Sequence, residues 1–280
     1  MSMTEDSKDT QAAGGWAALA SAARYMLGSG KPVGGAKTLL KLNQNAGFDC
    51  PGCAWGDPKH ASSFEFCENG VKAVTWESTK RTVGPEFFAS HSVSSLKKKD
   101  AYFLERQGRL VHPMRYNGST DHYEPVSWDE AFRLIGEKLN GLDSPNQALF
   151  YTSGRTSNEA AFLYQLFARA FGTNNLPDCS NMCHEASGIA LTESIGIGKG
   201  TVRLEDFEQA DAIFVFGQNP GTNHPRMLGD LRKAALRGAA IITFNPLKER
   251  GLVKFADPKR ASDILTGGVN ISSHYFQVKP

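Results

Sequence analysis

Five cysteines, at positions 50, 53, 67, 179 and 183, are the residues of this 280-residue chain with the clearest chemical potential. Cys50 and Cys53 are spaced Cys-x2-Cys around Pro51 and Gly52. A tight turn there brings both sulfurs to one side, where they can bind one ion or one cluster. Cys67 is separated from Cys53 by thirteen residues. An iron–sulfur cluster would use Cys50, Cys53 and Cys67, leaving a fourth position that the region does not fill with cysteine. A zinc ion completed by His60 or Asp57 is the rival reading, and a pair of reduced thiols in a polar loop is the plain alternative.

The second group is Cys179, Ser180, Asn181, Met182, Cys183, His184 and Glu185. Cys183, beside His184 and ahead of Ala186, Ser187 and Gly188, fits a helix N-terminus, where the dipole favours thiolate. Cys183 would then be a soft metal ligand or a nucleophile; the alternative is a buried structural cysteine next to a surface histidine. Cys179 reads as a packing residue. The third group is the turn Gly217, Gln218, Asn219, Pro220, Gly221, Thr222, Asn223 and His224, which follows an apolar run. A glycine-rich polar turn between the carboxyl end of a parallel strand and a helix is where α/β sheets bind phosphates and nucleotides. Asn245 and Pro246 form a second such turn. Neither carries Gly-x-Gly-x-x-Gly, and Gly196, Gly198 and Gly200 follow no strand, so a nicotinamide site is not favoured over an ordinary connection.

The elements that must position these groups follow from periodicity. Residues 36–42 predict a short helix leading into the loop 45–58, and Phe64, Cys67, Val71 and Val74 give helical spacing over 64–78. Residues 109–128 read as a hairpin or a pair of short strands around Asn117 and Gly118. Ser127 and Glu130 form a capping box for a helix with the apolar stripe Trp128, Ala131, Phe132, Ile135 and Leu139. A strand is expected at 148–152. Asn158 then caps a helix facing inward through Phe162, Leu163, Leu166, Phe167 and Ala170, ended by Gly172. Apolar strands at 211–217 and 239–245 flank a helix over 224–237, the pattern of a buried parallel sheet.

Composition narrows the classes. The length suggests about two domains. Lys plus Arg is 31 against 29 for Asp plus Glu, a net charge of +2, which argues against nucleic acid as the main partner. Apolar residues at 40% and charged residues at 21% are ordinary globular usage and exclude disordered and fibrous classes. The odd, bunched cysteines argue against a disulfide framework. Glu5, Asp6 and Asp9, with Ser21 and Arg24 interrupting 14–27, fit neither a signal peptide nor a membrane span. No twin-arginine pair precedes them, and a cytoplasmic location is expected.

Several blocks stand in one order: Cys50-Pro-Gly-Cys53-Ala-Trp, Phe66-Cys67-Glu-Asn-Gly70, Pro125-Val-Ser-Trp-Asp-Glu-Ala131, Ser153-Gly-Arg-Thr-Ser-Asn-Glu159, Phe171-Gly-Thr-Asn-Asn175, Asn181-Met-Cys-His184 and Ala210-Asp-Ala-Ile-Phe-Val-Phe-Gly-Gln-Asn-Pro220. Together they resemble the molybdopterin oxidoreductase family that binds a bis-guanine-dinucleotide cofactor, in its formate dehydrogenase alpha-subunit-like, YdeP-like branch. The resemblance implies a 4Fe–4S cluster held by Cys50, Cys53 and Cys67. It further implies a molybdenum bis(molybdopterin guanine dinucleotide) centre, with Cys183 as ligand to molybdenum and His184 suited to proton transfer. Gly217, Gln218, Asn219, Thr222, His224 and Asn245 would line the guanine-dinucleotide site, and Lys72 is the lysine that could bridge cluster to pterin.

The implied fold is α/β: an N-terminal iron–sulfur-binding region followed by a partial parallel-sheet molybdopterin-oxidoreductase domain. The expected division is a mobile segment at 1–33, the cysteine-containing cluster region with short strands at 34–126, and the α/β molybdopterin-binding domain at 127–280. Family members run much longer, so the chain is expected to be an N-terminal part. The implied function is oxidation or reduction of a small molecule such as formate, with an electron partner and without nucleic acid or membrane. A non-catalytic, metal-stabilised binding module is the alternative from a different class.

Overall fold

The computed structural model describes residues 11–53, 55–59, 62–153, 156–177 and 182–279. The chain divides into two compact units, one formed by Met1–Arg81 with Val202–Pro280 and the other by Thr82–Thr201. This differs from the expected order: the cysteine region belongs with the last part of the chain, and residues 82–201 stand as their own unit. The physical reason is a set of long-range ties, described below, that join residues 55–69 to residues 222–230.

In the first unit, Ala212–Phe216 and Ala240–Asn245 pair in parallel with Ile213 opposite Ile241, and His274–Gln277 adds in parallel to the other edge of the central strand, with His274 opposite Ile242. The two predicted strands are thus present, and the third was not foreseen. The Met227–Arg237 helix connects the first two and ends at Gly238, whose φ of +94° suits glycine. Period-2 alternation then decides which side chains meet the helix. Val215 and Ile241 join Leu228, Leu231 and Ala234 in the core, together with Leu252, Phe255 and Ile271. The opposite face carries Phe216, Phe244 and Phe276, stacked at centroid distances of 4.9 and 5.2 Å.

A second, smaller sheet pairs Ala13–Gly14 in parallel with Lys254–Ala256, which runs antiparallel to Val269–Asn270. Gly14 has φ +83°, and a Cβ there would lie 2.3 Å from the Ala256 carbonyl oxygen, so only glycine fits. The helix Gly15–Gly28 follows and packs against the Glu68–Glu77 helix. Leu39, Leu42, Val71 and Val74 form the local core, with Ala22, Met26, Cys50 and Phe66 around it. The described part of 1–33 is therefore structured and not a mobile segment. Ala18, Ala22 and Met26 give it an apolar face that the interruptions at Ser21 and Arg24 disguise. Residues 1–10 lie outside the described residues.

The second unit contains the expected hairpin, Met114–Asn117 antiparallel to His122–Pro125. The Trp128–Asn140 helix starts at Ser127, whose hydroxyl accepts the Glu130 amide. The Asn158–Phe171 helix is capped by Ser157, one residue earlier than expected, and ends at Gly172 with φ +104°. The expected strand at 148–152 is not in a sheet. The Phe150 amide donates to the Asn175 carbonyl at 2.9 Å and the Asn175 side-chain amide donates to the Ala148 carbonyl at 3.1 Å, so one asparagine does the work of a neighbouring strand. Ala148, Phe150 and Ala168 make this unit's buried core.

Candidate functional site

Cys67 caps the Glu68–Glu77 helix: its Sγ accepts the Gly70 amide at 3.4 Å. The Cys50 Sγ accepts the Gly52 amide at 3.4 Å, as the tight turn requires. Gly70 presses close to the same sulfur, since a Cβ there would stand 3.3 Å from the Cys50 Sγ. Burial pushes the Cys67 thiol above its ordinary value, and the nearby Cys50 and Cys53 push it further, while the amides of Gly70 and Asn69 oppose the shift. All three cysteines are partly buried and free of disulfides. Thiols that raise one another in this way are stabilised as thiolates by a bound cation.

Among the described residues no three or more His, Cys, Asp and Glu side chains converge on a point that could hold a single metal ion. A multi-iron cluster makes a different demand, because its terminal thiolates stand on separate irons. Amide donors to two sulfurs, with two glycines whose backbone approaches the Cys50 sulfur closely, fit that kind of group. Of the groups offered for zinc, Asp57 accepts from Arg226 Nη2 at 2.6 Å, and His60 lies outside the described residues.

The nucleotide-type turns meet at the carboxyl ends of adjacent parallel strands. Gly217, with φ +61°, donates its amide to Phe244, and Asn219 accepts the Thr222 amide at 3.2 Å to cap the short Pro220–Asn223 turn of helix. The buried Asn245 ties the two turns together: its Nδ2 donates to the Gln218 carbonyl at 2.8 Å and its Oδ1 accepts the Leu247 amide at 3.2 Å. Two tied turns at neighbouring strand ends fit the crevice in which α/β sheets hold dinucleotides.

The cysteine segment docks on the first of these turns and the helix that follows it, inside one unit. Asn69 donates to the Thr222 carbonyl at 2.9 Å. The Trp55 indole donates to Asp230 at 3.1 Å and stacks on His224 at 6.1 Å. The buried Arg226 side chain donates to the carbonyls of Trp55 and Gly56 and pairs with Asp57 and Glu65. A cavity of about 580 Å³ runs along this junction, lined among others by Trp55, Cys67, Asn69, Gly221 and Arg226. Lys72 is bound to Glu68 at 2.7 Å and lies over the Tyr25 ring, on the helix that Cys67 begins. Trp55, Asn69 and Arg226 were not singled out as site residues from the sequence, because their partners are 153 to 175 positions away and leave no local pattern.

Cys183 and His184 belong to the other unit. Cys183 is exposed, and His184 is the cap of the Glu185–Ile195 helix, so the pair stands at a helix N-terminus as its small neighbours suggest. Cys179 and Asn181 lie outside the described residues.

A family model described as "Molybdopterin oxidoreductase" matches residues 109–264. The chain belongs to this family. It is 60% identical over 245 residues to an uncharacterized oxidoreductase of Mycobacterium tuberculosis, covering 87% of this chain and 32% of the relative. It is 51% identical over 269 residues to the protein YdeP of Escherichia coli, covering 96% of this chain and 35% of the relative. With the F420-dependent formate dehydrogenase 1 subunit alpha of Methanococcus maripaludis the identity is 35% over 184 residues, covering 63% and 26%. The chain thus spans about a third of the length of its curated relatives. No helix among the described residues is long and apolar enough to cross a membrane.

Proposed function

We propose that this chain forms the cluster-bearing part of a molybdopterin-dependent oxidoreductase of formate dehydrogenase type, passing electrons between a molybdenum bis(molybdopterin guanine dinucleotide) centre and an iron–sulfur cluster. The observation that carries it is the docking of the Cys50, Cys53 and Cys67 segment onto the turn that begins at Gly217, which Asn245 ties to its neighbour, within one compact unit. Such docking supports a reading in which the three cysteines face a nucleotide-type crevice. The pterin-bound molybdenum would supply two-electron redox chemistry; oxidation of formate to carbon dioxide, for example, releases two electrons and one proton.

The chain's own residues would do the following. Cys50, Cys53 and Cys67 hold the cluster, and the amides of Gly52 and Gly70, by bonding the sulfurs, raise its potential. Gln218, Asn219, Thr222, His224 and Asn245 form the rim and floor of the dinucleotide crevice. Cys183 would supply a thiolate to molybdenum, and His184 would take the released proton. Lys72, paired with Glu68 on the helix that Cys67 begins, would be the lysine that carries positive charge toward the pterin.

Metal and sulfide analysis of anaerobically prepared protein tests this reading. Iron and sulfide bound together, and lost in Cys50→Ser or Cys53→Ser, are expected; zinc without sulfide would overturn the cluster. Formate turnover with a dye acceptor by a family-length protein containing this chain, abolished in Cys183→Ala, is expected for the formate assignment.

A further inference from the structure

We propose that Asn43 is a positioning residue of the cysteine set, acting with Arg226 through Glu65 to fix the chain around Cys50, Cys53 and Cys67. Its bearing on function rests on the cluster reading above, whereas the ties themselves involve only the chain's own atoms.

Asn43 is 4% exposed and has φ +55°, in the left-handed region that asparagine tolerates better than most residues. Its own amide donates to the Phe48 carbonyl at 2.8 Å and closes the turn. The side-chain Oδ1 accepts the Cys50 amide at 2.8 Å, and Nδ2 donates to the Glu65 carbonyl at 2.6 Å. These partners dictate which way the side chain faces, because a main-chain N–H can only donate and a carbonyl can only accept. One asparagine thereby joins Cys50 to the residue two places before Cys67.

The Glu65 side chain continues the tie. Its Oε1 accepts from Arg226 Nε at 3.4 Å, while the other guanidinium nitrogens donate to the carbonyls of Trp55 at 3.2 Å and Gly56 at 3.0 Å and to Asp57 at 2.6 Å. Trp55 stands two places after Cys53, so each of the three cysteines is within two residues of a group held by Asn43 or Arg226. A carboxylate at position 43 would set an oxygen against the Glu65 carbonyl. An ammonium at position 226 cannot meet acceptors on several sides as a planar guanidinium does. Asn43→Asp therefore keeps the left-handed turn and Arg226→Lys keeps the charge, yet both lose the ties.

The experiment follows alkylation of each cysteine by N-ethylmaleimide, read by peptide mass spectrometry, in the whole chain kept reduced and anaerobic with a chelator. Cys183, exposed in the other unit, is the internal reference. Asn43→Asp is expected to speed Cys50 and Cys67, and Arg226→Lys to speed Cys53 and Cys67, each by about tenfold relative to Cys183, as local opening does. Rates within about twofold of the parent in both variants would overturn the proposal, because the turn and the charge alone would then suffice. Equal acceleration of Cys183 would overturn it too, since the substitutions would be acting on the whole fold. A second measurement needs no variant to fold: in the parent protein the Cys50 amide should exchange its hydrogen at least about tenfold more slowly than the Asp49 amide, once intrinsic rates are divided out. Equal exchange at the two amides would overturn the Asn43 tie. The expected pattern in a chain that takes up no iron and sulfide would support the ties while overturning the cluster reading.

Discussion

The two units spend their apolar residues differently. In the unit that carries the cysteines, the Met227–Arg237 helix buries Leu228, Leu231 and Ala234 against Val215 and Ile241, and these side chains are almost inaccessible. In the other, the Trp128–Asn140 and Asn158–Phe171 helices have equally regular stripes, yet Trp128, Phe132, Ile135, Phe162, Leu163 and Leu166 are all more than half exposed. An amphipathic period states that a helix has a face to bury; it does not state that this stretch of chain contains the surface to bury it against. Polar ties follow the same division. Arg232 and Asp263, both buried, form a bidentate pair in the first unit, whereas Arg133 of the second pairs with Glu130 and Glu137 at the surface.

The largest expected break in this contrast is Asp263→Asn. It leaves the Arg232 guanidinium buried against a neutral amide and weakens the bond from the Asp257 amide, so a loss of about 3–4 kcal/mol is expected in urea unfolding of the first unit. The pair also has a pH signature. Arg232 holds the Asp263 carboxyl below the usual carboxylate range, so its contribution is complete above the unfolded value of about 3.9 and fades as pH falls through the lower folded value. Acid unfolding should therefore lose a component in Asp263→Asn.

Leu231→Ala comes next, at about 3 kcal/mol, because a fully buried leucine leaves a cavity between the helix and the sheet. In the second unit Ser127→Ala removes the cap of the Trp128–Asn140 helix and should cost about 1 kcal/mol, read as lost helicity by circular dichroism. The smallest effect belongs to Leu163→Ala, 62% exposed, at no more than about 0.5 kcal/mol. A cost for Leu163→Ala equal to that for Leu231→Ala would remove the difference between the two regions altogether.

These contrasts also show what could be read from the chain and what could not. The Ser127 half of the expected capping box, the left-handed glycines 172 and 238 and the strands around Ile213 and Ile241 are encoded within a few residues, and each is where local chemistry puts it, while the Glu130 side chain turns instead to Arg133. The helix after Gly14 was missed because its buried face is made of small residues, and the third strand of the parallel sheet because it lies 29 positions beyond its partner. Residues 148–152 have strand composition, but Asn175 satisfies their backbone before any ladder forms. In the candidate site the cysteines and turn residues were legible by type. The side chains that bring them together, Trp55, Asn69 and Arg226, act across the sequence and become visible only with the fold.

One of those ties has a further meaning. The Asn69 amide on the Thr222 carbonyl, two residues from Cys67, closes a continuous route of main-chain and side-chain bonds and one hydrogen bond from a cysteine sulfur to the turn beside Asn219. Electronic coupling decays more slowly along bonds than through empty space. For the proposed cluster, the bonded run through Asn69 would contain no gap wider than the 2.9 Å of that hydrogen bond.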